Sequence, residues 1–115
     1  MSYRVELSAE AVDSIDEQAI WYETQVRPDG DVLAERWLRE LRESLRTLAL
    51  NPQRHALAAE NGKWHPEIVL RRLLFRPWKI GRGWRVLFWI DESRMTVRVL
   101  VVRHESRPLL ADEES

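Results

Sequence analysis

The sequence predicts a single α+β domain of order β-α-α-β-β-β, with a helical hairpin packed on one face of an antiparallel sheet. Three observations carry this. Residues 32–50 place Ala34, Trp37, Leu38, Leu41, Leu45 and Leu48 at steps of three and four, the stripe of an amphipathic helix. Residues 68–75, 84–91 and 95–104 are three runs rich in Val, Leu and aromatics, separated by turn signals and with no helix between them. A sheet built from such runs has one apolar face that the helices must cover. At 115 residues the chain is one domain with enough surface to bury a core. The domain is expected to span 1–110, with 111–115 as an acidic disordered tail.

The elements follow in order. Tyr3, Val5 and Leu7 alternate with Arg4 and Glu6, the period of a short strand. Ser8 is a natural N-cap, and Glu10 and Asp13 fall where the helix dipole favours anions. A helix from Ala9 to Gln25 follows, with Val12, Ile15, Ala19 and Tyr22 spaced for one face. Pro28-Asp29-Gly30 ends it as a turn, and Asp31 is placed to cap the second helix. That helix offers i,i+4 ion pairs on its outer side, Glu35–Arg39, Arg36–Glu40 and Arg39–Glu43. Asn51-Pro52 stops it, and the short link makes the two helices an antiparallel hairpin. Residues 52–66 have no period and read as a surface loop. In the second strand of the meander, Trp84, Val86, Phe88 and Ile90 take one face and Arg85, Leu87 and Trp89 the other. In the third, Val97, Val99 and Val101 oppose Arg98, Leu100, Val102 and His104. The helices are expected to cover the valine rows, which leaves Arg85, Trp89, Arg98 and His104 on a bare face.

Charge is divided along the chain. Residues 1–51 carry a net −5, residues 52–110 a net +7 and the tail −3. The stretch 71–85, RRLLFRPWKIGRGWR, holds six cations and no anion. Six like charges this close create a local positive potential that attracts polyanions. Arg71, Arg72, Arg76, Lys79, Arg85 and Arg98, with Trp89, are therefore candidate contacts to a polyanion or an acidic target. Arg82 belongs to the same stretch. His104 titrates close to neutrality in its unperturbed state and is a candidate general acid or base. The chain has no Cys, and His55, His65 and His104 lack metal-ligand spacing, so neither a metal nor a cofactor is expected. No apolar run approaches the ~18 residues of a membrane span, and the N-terminus lacks a signal-peptide pattern. A cytoplasmic protein without membrane contact is expected.

The segments YRVELSAEAV, the helix-ending LxLNP, RRLLF, WRVLFWID and VRVLVVRHESR, in this order, resemble the RelE/ParE superfamily of bacterial type II toxins, also known as plasmid stabilisation proteins. The resemblance runs up to Arg107. It implies a compact, growth-inhibiting toxin held in a hetero-oligomer by a cognate antitoxin that blocks its basic face. Within the family, ParE-like members inhibit DNA gyrase, and RelE-like members cut mRNA on the ribosome as metal-independent endoribonucleases. Carried over by position, the RelE-like role implies catalytic Lys63, Arg82, His104 and Arg107, with Arg76 and Lys79 as alternatives to Arg82. No Tyr follows Arg107, so the tyrosine of RelE-like sites has no counterpart. Three readings stand: a gyrase inhibitor, a ribosome-dependent nuclease, and a non-toxic RNA-binding or structural domain of the same fold.

Overall fold

The computed structural model describes residues 2–25 and 28–107. The elements are β1 (Arg4–Leu7), α1 (Ala9–Glu23), α2 (Gly30–Arg46), β2 (Arg71–Phe75), β3 (Trp84–Asp91) and β4 (Thr96–His104). Short 3₁₀ turns follow α2 and β3. The predicted order is borne out, with the helix pair on one face of the sheet. The acidic tail lies outside the described residues.

The sheet is mixed rather than wholly antiparallel. Its order is β1-β4-β3-β2, and β1 runs parallel to β4, with Val5 beside Val97 and Leu7 beside Val99. The meander β2-β3-β4 is antiparallel as expected. The helix hairpin and two strands intervene between β1 and β4, a connection long enough to bring the first strand back parallel.

Ser8 caps α1 as its side chain accepts from the Ala11 N–H at 3.0 Å. The buried face of α1 is Ala11, Ala19 and Tyr22, with Ile15 half-buried against the core; Val12 is exposed, one residue off the predicted stripe. The second helix starts one residue before Asp31, with Asp29 at the cap position and no capping bond from its side chain. Its stripe is as predicted, although the helix ends at Arg46: Ala34, Trp37 and Leu41 are buried, Leu48 is buried in the 3₁₀ turn that follows, and Leu38 and Leu45 pack against them. The three outward ion pairs do not form among the described residues. Arg36 turns instead over the Trp78 ring, 5.1 Å from its centroid. An exposed helical pair contributes only a few tenths of a kcal/mol, and a cation–π contact at an exposed site about 0.5–1 kcal/mol, so the ring competes successfully.

The face opposite the helices is not bare. Residues 56–58 run back along β2: Ala58 N–H donates to Leu70 O at 2.8 Å and Arg72 N–H to Ala56 O at 3.0 Å. The loop then turns over the sheet and forms a second apolar cluster of Ala58, Leu70, Leu87 and Val101, with Trp64 and Leu100 against it. Glu60 of this loop is buried. The stretch read as a surface loop is thus the cover of the second face. Its lack of period reflects packing by a few scattered residues.

A β-bulge decides which side chains face which cover. Leu87 pairs with Val101 and Phe88 with Val99, so Leu100 is an extra residue on β4. Before the bulge Val97 and Val99 face the helices; after it Val102 does, and Val101 turns to the loop. Two serines of the α1 turn-in satisfy the backbone around the bulge. Ser8 Oγ donates to Leu100 O at 2.8 Å, and Val102 N–H donates to Ser14 Oγ at 3.1 Å. The predicted face assignment is correct for Val97, Val99 and β3 and inverted beyond Leu100.

Candidate functional site: a groove between the first helix and the sheet end

The predicted site residues divide into three places. Arg85, expected on a bare face, is buried beneath the loop, where its guanidinium donates to Glu60 at 2.7 Å; Glu60 is fully buried. Arg98 is held at the opposite end of the sheet by Glu6 at 2.9 Å and Asp91 at 3.4 Å, with its guanidinium 5.8 Å from the Trp89 ring. Arg71 donates to the His55 carbonyl at 2.7 Å, and Arg72 is half-buried on the loop side of β2. These side chains support the fold or its rim, and they do not form one positive face. The reason is visible only in three dimensions. The carboxylates that neutralise Arg85 and Arg98 lie 25, 92 and 7 residues away, at Glu60, Glu6 and Asp91.

The second place is a groove of 660 Å³ between α1, the end of β4 and the β2–β3 loop. His104, Arg82 and Arg107 line it, facing Glu10, Asp13 and Glu17 of α1. The bulge puts His104 here, on the helix side, instead of beside Arg98. Its ring meets Trp84 edge-on, 5.1 Å between centroids at 89°. Nδ1 accepts from the Ser106 N–H at 3.1 Å and contacts the Ser106 hydroxyl at 2.7 Å. Because Nδ1 accepts, the ring proton of the neutral imidazole resides on Nε2. Trp84 donates from its indole to Gln18 at 3.1 Å, tying the floor of the groove to α1.

Lys63 is in the third place. It is exposed in the turn after Glu60, on the loop that covers the other face, and it is not part of the groove lining. The residues expected to act together are thus split: three share the groove and one does not. Arg103, not among the predicted residues, also lines the groove. Its cross-strand partner is Arg85, which faces the loop.

The β2–β3 loop forms one wall of the groove and is clamped at both ends. Arg76 meets Glu105 at 3.0 Å, and the hydrogen bond from Arg76 holds the Glu105 carboxyl below its usual range, with the Arg76 and Arg82 charges assisting. Gly83 is required at the base, because a Cβ there would sit 2.4 Å from both Arg76 Cγ and the Phe75 carbonyl oxygen. Gly81 takes φ +89°, open to glycine, at the tip. Trp78 fixes the middle, donating from its indole to the Tyr22 hydroxyl at 2.8 Å. Burial raises the Tyr22 pKa, so this hydroxyl stays protonated across the ordinary pH range. Lys79 and Arg82 are exposed, and neither has a carboxylate within ion-pair distance among the described residues.

Among the described residues no helix is long and apolar enough to cross a membrane, and no group of three or more His, Asp or Glu is placed to hold a metal ion. The family model described as the ParE toxin of the type II toxin–antitoxin system parDE matches residues 5–109. No curated protein matches the sequence. Among solved structures, the chromosomal ParDE toxin–antitoxin system from P. aeruginosa superposes with a TM-score of 0.65 at 14% identity, over 89% of this chain and 95% of the other. The archaeal RelE–RelB complex from Pyrococcus horikoshii OT3 gives a TM-score of 0.45 at 14% identity, over 94% of this chain and 100% of the other. With a family model covering the sheet, both helices and the groove, the chain belongs to the ParE toxin family of type II toxin–antitoxin systems.

Proposed function

We propose that this ParE-family toxin acts by binding, as an inhibitor of DNA gyrase in the cytoplasm, and is neutralised by a cognate antitoxin in a hetero-oligomer. The observation that carries the reading is the separation of Lys63 from His104, Arg82 and Arg107. Metal-independent RNA cleavage needs one group to take the 2′-hydroxyl proton and another to protonate the leaving oxygen, each within hydrogen-bond reach of the same phosphate. His104 is the one histidine in the groove lining, and its Nδ1 already accepts from Ser106. A groove with an acidic wall, a basic wall and an aromatic floor suits a protein surface better than a polyanion, because Glu10, Asp13 and Glu17 repel phosphates.

Purified toxin added to gyrase and relaxed plasmid is the test. Loss of supercoiling at micromolar toxin or below is expected. The ribosome-dependent nuclease is the second reading, favoured by the presence of His104, Arg82 and Arg107 in one groove. Primer extension on mRNA after induction separates the two: new 5′ ends inside reading frames, with supercoiling intact, replace the first reading by the second. Unchanged growth on overexpression replaces both with a non-toxic domain of this fold.

A further inference from the structure

Ile80 is 89% exposed, more than any other large apolar side chain among the described residues. A single exposed apolar residue on a mobile tip would be ordinary. This tip is held in place. Trp78 sits between the Tyr22 hydroxyl and the Arg36 guanidinium, and the base of the loop is closed by Arg76–Glu105 and by Glu105 N–H donating to Gly83 O at 2.9 Å. Fixing a loop beforehand removes ordering entropy from a later binding step. Ile80 stands between Lys79 and Arg82, two exposed cations with no in-chain ion pair among the described residues, and Trp21, 54% exposed, lines the same groove.

We propose that the segment Lys79–Arg82 is the anchor that engages the target: Ile80 inserts into an apolar pocket of a protein surface, and Lys79 and Arg82 pair with carboxylates on that pocket's rim. The proposal rests on the binding reading above and names the surface and the chemistry of its partner. Charge complementarity calls for an acidic rim. The exposed Ile80 calls for a protein, because a phosphate backbone offers such a side chain nothing to desolvate against. A central apolar residue ringed by charges is the arrangement in which a few residues dominate affinity.

The test compares wild type with Ile80→Asp, the pair Lys79→Glu/Arg82→Glu, and Ile20→Asp, a control at an α1 position that is 54% exposed and outside the groove lining. Thermal melting first establishes that all are folded; two assays follow, growth arrest on induction and gyrase supercoiling. Ile80→Asp is expected to abolish arrest and raise the half-inhibitory concentration about 30-fold or more, with Ile20→Asp at wild-type potency. Full potency of Ile80→Asp in both assays overturns the anchor. Full potency of Ile80→Asp with an inactive Lys79→Glu/Arg82→Glu assigns the tip to phosphates and also overturns it. If wild type arrests growth while gyrase is untouched, the gyrase reading fails. The anchor is then judged by arrest alone: lost in Ile80→Asp, it stands; retained, it falls.

Discussion

Arg82 and Arg85 are three residues apart in one basic stretch, and they have opposite fates. Arg85 points under the covering loop, is nearly closed off from water, and holds Glu60 at 2.7 Å. Arg82 is exposed beside a groove, with no carboxylate in ion-pair distance among the described residues. Sequence proximity made them look like one patch. A guanidinium is available to a partner only where the fold has not already supplied its carboxylate. Two consequences are opposite in kind: altering the first should cost stability, and altering the second should cost activity.

The largest stability effect is expected at the buried pair. Glu60→Ala leaves Arg85 charged and uncompensated under the loop and should destabilise by about 3–5 kcal/mol, read by urea or thermal denaturation. Glu60→Leu with Arg85→Met together should recover most of that loss, because replacing a whole buried ion pair with apolar groups is often neutral. A Glu60→Ala protein as stable as wild type would break the contrast between Arg85 and Arg82.

A smaller effect is expected where the bulge is secured. Ser14 accepts from Val102 N–H and donates to Ala11 O at 2.8 Å. Ser14→Ala leaves the Val102 N–H without its acceptor and should cost about 1–3 kcal/mol. Hydrogen exchange at Val102 should rise more than at Val97, on the other side of the bulge.

A pH effect follows from His55. Burial, then the charges of Arg54 and Arg71, hold its imidazole below the ordinary 6.5. The unfolded chain therefore takes up a proton first as pH falls. The stability His55 contributes is complete above about 6.5 and is lost as pH falls through the lower folded-state pKa. Denaturation midpoints measured from pH 8 to 5 should decline in this window, and His55→Phe should flatten the decline. An identical decline in the variant would remove His55 from the account.

Much of the fold was legible. The stripe of α2 and the two faces of β3 alternate strongly enough that period alone assigns them. The bulge was not, because Val99-Leu100-Val101-Val102 are all apolar and give no alternation against which an extra residue would register. That one unseen residue misplaced His104. The parallel pairing of β1 was equally hidden, since a four-residue strand carries no mark of its neighbour. Glu60 lay in a stretch without period, and nothing local distinguishes a carboxylate destined for burial from a solvated one. The cations of the site were legible as a set, and their partners were not, because Glu6, Glu60 and Asp91 reach them through tertiary structure.

The smallest stability effect belongs to Arg82→Glu, expected within about 0.5 kcal/mol of wild type for an exposed side chain. It is also the most direct measurement of the central claim. The variant is induced in cells at a soluble level matched to wild type, and growth is followed. The expected result is a folded protein with an unchanged melting curve that no longer arrests growth. A folded Arg82→Glu protein that arrests growth as fully as wild type would contradict it.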